Sequence, residues 1–461
     1  MLSPTQEIHS VYLRTLRQAL MDVLLPEITD IAAANALDLC DGVLVRMIGS
    51  LENPPASRLP NNLSALQARM RDLFVQLDDA PRRPGAPALG QLAEIAAADA
   101  LRCEIRESVI QSIAAQREPA LRSLRIAQPT IQAWFDKRFP DSPVQVRECR
   151  QLAGGRSKLT VFVGLEENGR WPSGLVLRID NPGSAQNTSV LDEYPVLRAM
   201  HAVGVAAPEA LWLESGPSWL GAPFLVMRRM DGTPPGNLWS AEGVSQAIAR
   251  GLAETLVSLQ RQDARSIWPS APASAREAVE EMMRDLRERR CGRRDVTSLP
   301  VTCAFGWLES HMDWIDGPPV PVHGDAHFAN VLAEGDRLVC LTDWEFCHAG
   351  HPAEDLAFCR SSVEQIMSWG DFIAHYRACG GAEITDDQLS FFGVWGYLRN
   401  AVFAVDMLER LATGAPHDVQ SLSIALHSRA RVEAQLSQAL ARAMKSDSTL
   451  RLSDQMRRAM S

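Results

Sequence analysis

The fold is decided by the stretch VHGDAHFAN at residues 322–330, which is followed by LTDWE at residues 341–345. Asp325 offers a carboxylate that can take the proton of an acceptor hydroxyl group. Asn330 and Asp343 offer oxygen atoms of the kind that hold magnesium against nucleotide phosphates. An apolar run before Asp343 predicts a short buried strand that delivers this side chain. Together the three side chains indicate a site for phosphoryl transfer.

Taken one at a time, Asp325, Asn330 and Asp343 are also compatible with ordinary turns between strands. The order of the whole set favours catalysis, because H-G-D, an Asn five positions after the Asp, D-W-E and P-x-x-D-L-A from Pro352 follow one another. His323 is interpreted as a structural residue that packs the catalytic loop. Three further histidines lack the spacing of a zinc site and are interpreted as loop or supporting residues, namely His327, His348 and His351.

This order, with His-Gly-Asp in place of His-Arg-Asp, resembles the catalytic segment of the aminoglycoside phosphotransferase/choline kinase superfamily. The segments DWEF and GHPAEDLA between residues 343 and 357 resemble that family's metal-binding segment and following helix start. They are most similar to the branch of 4-hydroxyacyl-CoA kinases, which is related to kinase domains fused to acyl-CoA dehydrogenases. The resemblance covers about residues 128–415. It implies an α+β, protein-kinase-like two-lobed fold.

The resemblance also implies the cofactors and the roles of individual residues. ATP and Mg²⁺ are the expected cofactors. Asp325 is expected to be the catalytic base, and Asn330 and Asp343 are expected to be the magnesium ligands. Because the full set is present, a nucleotide-binding scaffold without catalysis is the weaker alternative.

A glycine-containing loop lies between two predicted strands at residues 145–152 and 159–163. Backbone N–H groups in such a loop can cover nucleotide phosphates, although most turns of this kind are plain hairpins. Its position before the third predicted strand favours the phosphate-binding interpretation. The expected phosphate-binding residues are Gly154, Gly155, Arg156 and Ser157.

The third predicted strand, residues 175–179, carries one basic residue at its centre, Arg178. In the family that the chain resembles, a lysine that contacts the phosphates usually stands at this place. Arginine keeps a permanent positive charge, and its planar guanidinium group can donate two parallel hydrogen bonds to a phosphate. The helix predicted at residues 191–200 is expected to bring Glu193 to Arg178 as an orienting ion pair. The alternative for Glu193 is a solvated helix acid.

Residues 223–232 resemble the strand and hinge with which the family clamps adenine. The nucleotide-binding residues expected there are Met227, Arg228 and Arg229. Because recognition in this hinge uses backbone groups, the side chains do not distinguish ATP from GTP, and ATP is the default.

Composition agrees with a folded, soluble enzyme. The 461 residues are 46% hydrophobic and 22% charged, and the net charge of −10 argues against general nucleic-acid binding. No apolar run reaches the length of about 18 residues that a transmembrane helix needs, and the N-terminus shows no secretory signal pattern. The nine cysteines never form a C-x-x-C pair, which favours reduced thiols in the cytoplasm.

The chain is predicted to divide into three parts. Residues 1–125 show amphipathic helical patterns and are interpreted as an additional N-terminal helical bundle for docking or homo-oligomerisation. Residues 126–232 are the predicted N-lobe of the kinase. Residues 233–461 are the predicted helical C-lobe, which contains the catalytic loop.

The acceptor is the least determined feature. An aminoglycoside kinase needs an acidic cleft for a polycation, whereas the segment from Arg284 to Arg294 is basic. This basic segment is either a solvated helix end or a patch suited to the phosphates of CoA. A small hydroxy compound such as a hydroxyacyl-CoA is therefore the preferred substrate, and an antibiotic phosphotransferase that acts on aminoglycosides or macrolides is the alternative.

Overall fold

The computed structural model describes residues 126–152, 157–167, 169–181, 188–236, 241–291, 299–412 and 431–444. The described residues up to 291, from 303 to 402 and from 433 to 444 belong to one compact unit, and residues 299–302, 403–412 and 431–432 belong to another. The sites discussed below lie in the first unit, and of the elements described below only α6 and α9 include residues of the second. The N-terminal bundle predicted for residues 1–125 lies outside the described residues and stays a prediction.

The first lobe consists of a five-stranded antiparallel sheet and two helices. Its sheet order is β1-β2-β3-β5-β4. The elements are α1 (Gln128–Arg138), β1 (Val146–Gln151), β2 (Lys158–Leu165), β3 (Gly174–Asp180), α2 (Val190–Ala202), β4 (Ala210–Glu214) and β5 (Phe224–Arg228). This antiparallel sheet with its helices agrees with the α+β fold that the resemblance implies.

Aromatic packing between α1 and the sheet forms the core of this lobe. Trp134 and Phe135 of α1 are buried in one hydrophobic cluster with residues of β2, β3 and β5. The ring centroids of Trp134 and Phe224 lie 5.5 Å apart in an edge-on arrangement, a geometry that aromatic quadrupoles favour. The indole N–H of Trp134 donates to Glu214 Oε1 at 3.0 Å, so this buried polar group is satisfied.

The second lobe is mainly helical, as predicted, with two short two-stranded sheets. Its elements are α3 (Gln246–Gln260), α4 (Ala264–Ile267), α5 (Ala275–Cys291), α6 (Leu299–Ser310), β6 (Val320–Val322), β7 (Val331–Glu334), β8 (Arg337–Leu341), β9 (His348–Gly350), α7 (Ala353–Val363), α8 (Trp369–Ala378) and α9 (Asp386–Ala412). Three short 3₁₀ turns lie at Met312–Trp314, Phe328–Asn330 and Trp344–Phe346. Among the described residues, no helix combines the length and apolar character that crossing a membrane requires.

The two small sheets carry the segments quoted at the outset. β6 pairs with β9, and β7 pairs with β8, both antiparallel. The catalytic loop connects β6 to β7, and the segment that contains Asp343 connects β8 to β9. Because both loops run between the β6–β9 pair and the β7–β8 hairpin, Asp325, Asn330 and Asp343 lie in one region although Asp343 is 18 positions after Asp325.

The chain between the lobes is bonded to the β7–β8 hairpin. Thr233 and Ala333 exchange two backbone hydrogen bonds of 3.0 Å each. Gly232 precedes this bridge with φ of +97°, and a Cβ at Gly232 would lie 2.6 Å from the Ala333 carbonyl oxygen. Only glycine fits here, because both the backbone conformation and the close approach exclude a side chain.

His351 illustrates how burial in the helical lobe links stability to pH. Its ring stacks on Phe392 at 5.4 Å, and Nδ1 accepts the backbone N–H of Ala353 at the start of α7. Burial lowers the pKa of His351 to about 4. The folded protein therefore needs the neutral ring, and this contribution to stability is complete above the ordinary histidine pKa of about 6.5. It is lost as the pH falls from there towards 4.

We therefore expect His351→Asn to weaken the acid sensitivity of folding. Asparagine can still accept the N–H of Ala353 but does not titrate. Between pH 6.5 and 4 the wild type should lose about 3 kcal/mol more stability than the variant. Urea unfolding at both pH values measures this difference, because other groups titrate alike in both proteins. Parallel pH profiles would contradict the prediction.

Candidate active site

Asp325 and Asn330 are joined directly. The Asn330 side-chain amide donates to both the carboxylate Oδ2 and the backbone carbonyl of Asp325, at 2.9 Å each. The backbone of Asn330 is also held, because its backbone carbonyl accepts hydrogen bonds from the N–H and the hydroxyl group of Thr342, at 2.7 and 2.8 Å. Since the amide nitrogen faces Asp325, the amide oxygen Oδ1 is the atom that Asn330 can offer to a cation.

His323 fixes the start of the catalytic loop. Its Nε2 lies 3.0 Å from the carbonyl oxygen of Thr342, and its Nδ1 lies 3.3 Å from the backbone N–H of Asp325. One neutral tautomer satisfies both contacts, with the proton on Nε2 and the lone pair on Nδ1. Burial lowers the pKa of His323 to about 4, which keeps the ring neutral. The structural role predicted for His323 is confirmed.

A buried carboxylate also holds the loop through its backbone. Asp355 near the start of α7 accepts the N–H groups of His323 and Gly324, each at 2.9 Å. Gly324 has φ of +78°, and a Cβ there would lie 2.6 Å from the Phe346 carbonyl oxygen. The glycine of H-G-D is thus required by backbone geometry. Burial raises the pKa of Asp355 to about 6, although the two N–H donors favour its ionised form.

The other predicted supporting histidines lie where the sequence interpretation put them. His327 Nε2 lies 3.6 Å from Asp325 Oδ2. His348 Nε2 lies 3.1 Å from Glu354 Oε2. Glu354 in turn accepts a hydrogen bond of 2.7 Å from Arg399, which also donates to the Gly324 carbonyl at 3.0 Å. Through these contacts the side chains connect the catalytic loop to α7 and α9.

Asp343 stands in a left-handed backbone conformation, with φ 65° and ψ 61°. It is the only residue other than glycine with positive φ in the described part of the chain. Asp tolerates this region better than most residues, yet the conformation still costs free energy. Such strain is typical of functional sites. In this conformation the Asp343 carboxylate contacts a residue of β3.

Arg178 is the cation that this carboxylate meets. Its Nη2 lies 2.6 Å from Asp343 Oδ1, and its Nε lies 3.3 Å from Glu193 Oε1. The ion pair predicted between Arg178 and Glu193 is therefore present. The contact with Asp343 was not predicted. It links the first lobe directly to the segment that carries the candidate metal ligand.

Burial and charge act against each other in this cluster. Burial opposes the charge of Arg178, but the carboxylates of Glu193, Asp343 and Glu345 raise its pKa above the ordinary value. Burial raises the pKa of Glu193 to about 7, although Arg178 lowers it. One oxygen of Glu193, Oε2, is buried without a hydrogen-bond partner among the described residues.

At Asp325 burial favours the protonated acid, yet His327 and Asn330 hold the pKa of the carboxyl below its usual value.

Sequence reasoning missed a second buried cation, Lys158. Its side chain is only 1% exposed, and Nζ donates to the carbonyl and hydroxyl oxygens of Thr188 at 2.7 and 2.9 Å. Nζ also lies 3.4 Å from Asp180 Oδ1 and 3.5 Å from Glu345 Oε2. The available signal was a lysine at the head of an apolar strand, directly after the glycine loop. Glu345 was quoted within D-W-E but received no role.

The remaining predicted nucleotide contacts divide into two groups. Gly154, Gly155 and Arg156 lie outside the described residues, while Ser157 is buried next to Lys158 at the end of the loop. Met227 is buried in β5. The N–H groups of Arg228 and Arg229 donate to the carbonyls of Glu209 and Gly174 at 2.9 and 3.1 Å. Contacts from these two arginines to a base would therefore have to use their carbonyls or side chains.

The residues present fit a magnesium nucleotide. Asn330 and Asp343 offer an amide oxygen and a carboxylate, which are hard ligands that magnesium prefers. The Asp343 side chain is 32% exposed, so it is accessible from solvent. Around it, carboxylates outnumber cations, which leaves negative charge for a divalent ion to neutralise. The carboxylates are Asp180, Glu193, Asp343 and Glu345, and the cations are Lys158 and Arg178.

Residues 148–386 match the phosphotransferase enzyme family, APH. The chain is also similar to acyl-CoA dehydrogenase family member 11 of Gallus gallus, with 26% identity over 308 residues that cover 60% of this chain and 38% of the relative. The Homo sapiens protein of the same name is 24% identical over 270 residues, which cover 52% of this chain and 34% of the relative. The chain therefore spans little more than a third of the length of these relatives.

A solved structure from Ralstonia eutropha JMP134, named provisionally as an aminoglycoside phosphotransferase, shares the architecture. Its TM-score is 0.51 at 19% identity, and the alignment covers 68% of this chain and 98% of that chain. A likeness at this identity concerns the fold alone. It confirms the kinase-like arrangement of sheet and helices.

Proposed function

The chain belongs to the phosphotransferase enzyme family, and from this premise we propose that it transfers the γ-phosphoryl group of ATP to the hydroxyl group of a hydroxyacyl-CoA. The coarser activity, that of an ATP-binding small-molecule kinase with a hydroxyl acceptor, follows from the family. The observation that carries the catalytic proposal is the hydrogen-bonded pair of Asp325 and Asn330, which is bonded to Thr342, the residue directly before Asp343.

In the proposed reaction, the acceptor oxygen attacks the γ-phosphorus as the bond between that phosphorus and the β–γ bridging oxygen breaks. Asp325 accepts the hydroxyl proton, and ADP leaves with the bridging oxygen. Asn330 and Asp343 would hold magnesium, which would supply positive charge to neutralise the phosphates. Arg178, oriented by Glu193, holds the phosphates with its fork of N–H donors. Most of the rate gain then comes from positioning and charge neutralisation.

Two observations support an acyl-CoA acceptor. The curated relatives carry the name of acyl-CoA dehydrogenases, and this chain matches only about a third of their length. A phosphotransferase segment joined to an acyl-CoA enzyme is expected to share its class of substrate. In addition, Arg284 and Arg287 on α5 are exposed, and basic side chains suit the phosphates of CoA. Arg287 already pairs with Glu309 at 2.7 Å, so Arg284 is the freer of the two.

An acceptor panel tests the proposal. ADP release is measured with 4-hydroxyacyl-CoAs, with the matching acyl-CoAs that lack the hydroxyl group, and with the free 4-hydroxy acids. We expect turnover only when the hydroxyl is present, a large loss of kcat/KM without the CoA moiety, and a product that gains one phosphoryl group by mass spectrometry. Efficient turnover of aminoglycosides or macrolides with inert hydroxyacyl-CoAs would instead favour the antibiotic phosphotransferase. ATP binding without turnover of any acceptor would favour the scaffold.

The proposed metal role of Asp343 gives a separate prediction. In Asp343→Asn the new residue also tolerates the left-handed backbone conformation, but the negative charge that would bind magnesium is removed. We expect binding of magnesium ATP to weaken by about tenfold or more, together with activity. Binding of ATP in the presence of a chelator should change little. Calorimetric titrations with and without Mg²⁺ separate the two effects, with the exposed Asp336→Asn as the matched control. Unchanged dependence on Mg²⁺ would remove Asp343 from the metal site.

A further inference from the structure

Three side chains of types that can bind a metal ion meet outside the candidate active site, where α3 packs against α8. Glu254 comes from α3, and His375 and Cys379 come from α8 and its C-terminal end. Their ligand atoms all lie within 4.8 Å of one another. These three residues are called the α3–α8 cluster below. None of them has a role in the phosphoryl-transfer site described above.

The distances in the α3–α8 cluster are close to those around a tetrahedral zinc ion. His375 Nε2 lies 3.6 Å from Cys379 Sγ and 2.9 Å from Glu254 Oε1. Zinc bonds of about 2.0–2.1 Å to nitrogen and about 2.3 Å to sulfur place those two ligand atoms about 3.6 Å apart. The corresponding separation of nitrogen and oxygen is about 3.3 Å. The exposed Glu254 side chain can reach it by a small rotation.

Two of the ligands are already fixed relative to each other. His375 and Cys379 are one helical turn apart and therefore lie on the same face of α8. The Cys379 N–H donates to the His375 carbonyl at 3.0 Å, and the Cys379 carbonyl accepts from the Arg261 guanidinium at 2.6 Å. Gly380 then turns the chain away with φ of +87°. The backbone at Cys379 is thus held at a defined position, so that binding of a metal ion by the thiol would cost little backbone entropy.

A simple ion pair does not account for this arrangement. His375 Nε2 carries either one proton or one lone pair in the ring plane, yet both a carboxylate and a thiol approach it. An ion pair with Glu254 alone would involve a largely exposed carboxylate, and such pairs contribute little. A metal ion in the space between the three atoms would use all of them at once.

We propose that the α3–α8 cluster binds one zinc ion through Glu254, His375 and Cys379, with a water molecule in the fourth position. A thiolate and an imidazole select zinc over magnesium, which prefers oxygen ligands. This preference separates the site from the magnesium ligands expected in the candidate active site. The proposal does not depend on the identity of the phosphate acceptor.

Bound zinc would connect α3 to α8 and so steady a helix that supports the catalytic hairpin. Gly251, one turn before Glu254, lies so close to β8 that a Cβ there would be 3.0 Å from the Leu338 Cβ. β8 leads directly to Asp343. The zinc ion would thus stabilise the position of the helix that packs against β8.

Metal titrations of the full chain test the proposal. The protein is stripped with a chelator, returned to excess Mg²⁺ to saturate the hard oxygen ligands, and titrated with Co²⁺ or Zn²⁺ alone. We expect one Co²⁺ per chain, with the near-ultraviolet absorption of a thiolate–cobalt bond and the visible bands of tetrahedral cobalt. Cys379→Ser should abolish the thiolate band and weaken Zn²⁺ binding by about 100-fold or more. Glu254→Gln should weaken binding and leave the thiolate band.

The matched control is Cys149→Ser, which removes a half-buried thiol on β1 and should change neither the band nor the affinity. Zn²⁺ should raise the Tm of the wild type and of the control but not that of Cys379→Ser, because only a folded site that binds the ion is stabilised. A thiolate band that persists in Cys379→Ser would assign the metal to another cysteine. That result, or wild-type protein that binds no stoichiometric Zn²⁺, would overturn the proposal.

Discussion

Asp325→Asn is expected to yield a folded protein that binds magnesium ATP but has lost on the order of 10²–10⁴ in turnover. The asparagine retains an oxygen that can accept the 2.9 Å hydrogen bond from Asn330, so the catalytic loop should keep its geometry. The variant loses the carboxylate that is proposed to take the proton from the hydroxyl group of the substrate. Single-turnover rates, with ATP affinity measured in parallel, separate this loss from a loss of binding.

Two comparisons make the experiment on Asp325 decisive. Asp336→Asn changes an exposed aspartate in the turn between β7 and β8 and should leave kcat unchanged. Asp325→Ala removes the oxygen as well and should also disturb Asn330, so its ATP affinity should fall further than that of Asp325→Asn. Turnover of any good acceptor at close to the wild-type rate by Asp325→Asn would show that another group takes the proton.

The second large effect is expected in stability. Arg178→Met leaves Glu193 and Asp343 without the cation between them, and removing one partner of a buried ion pair typically costs about 3–5 kcal/mol. The cost should be greater at pH 8 than at pH 6, because the pKa of Glu193 is already raised to about 7 and protonation at lower pH removes its charge. Urea unfolding at the two pH values measures both the size and the sign.

A surface pair provides the reference for Arg178. Arg337 pairs with Glu334, but both side chains are more than half exposed, so Arg337→Met should cost at most about 1 kcal/mol. Arg178→Lys should fall between the two variants, since lysine keeps the charge but cannot reach Glu193 and Asp343 with separate N–H groups. If Arg178→Met unfolded at the same urea concentration as Arg337→Met, the cluster would not hold the lobes together.

The sequence predicted the parts of the site that local pattern determines. The apolar run before Asp343 became β8, and the single basic residue in a predicted strand became the Arg178 of β3. The helix predicted after β3 brought Glu193 to Arg178. In each case the signal lies within a few residues and follows the period of a helix or strand.

The features that were missed depend on contacts between distant segments. Lys158 is buried because Thr188, Asp180 and Glu345 surround it, and none of these neighbours is close to it in sequence. The left-handed conformation of Asp343 could not be predicted either, since an aspartate after a strand more often begins an ordinary turn. Tertiary context, which a single sequence does not contain, decided both. The contact of Arg228 and Arg229 with the base stays a prediction, and it would use carbonyls or side chains because backbone bonds already use the N–H groups.

The double hydrogen bond between Thr233 and Ala333 has a consequence for motion. Because this bridge fixes Thr233 to the hairpin that follows Asn330, a rotation of the first lobe relative to that hairpin has to take place before Thr233. Opening about such a hinge would carry β3 and its Arg178 away from Asp343, while Thr233 and the β7–β8 hairpin would stay together.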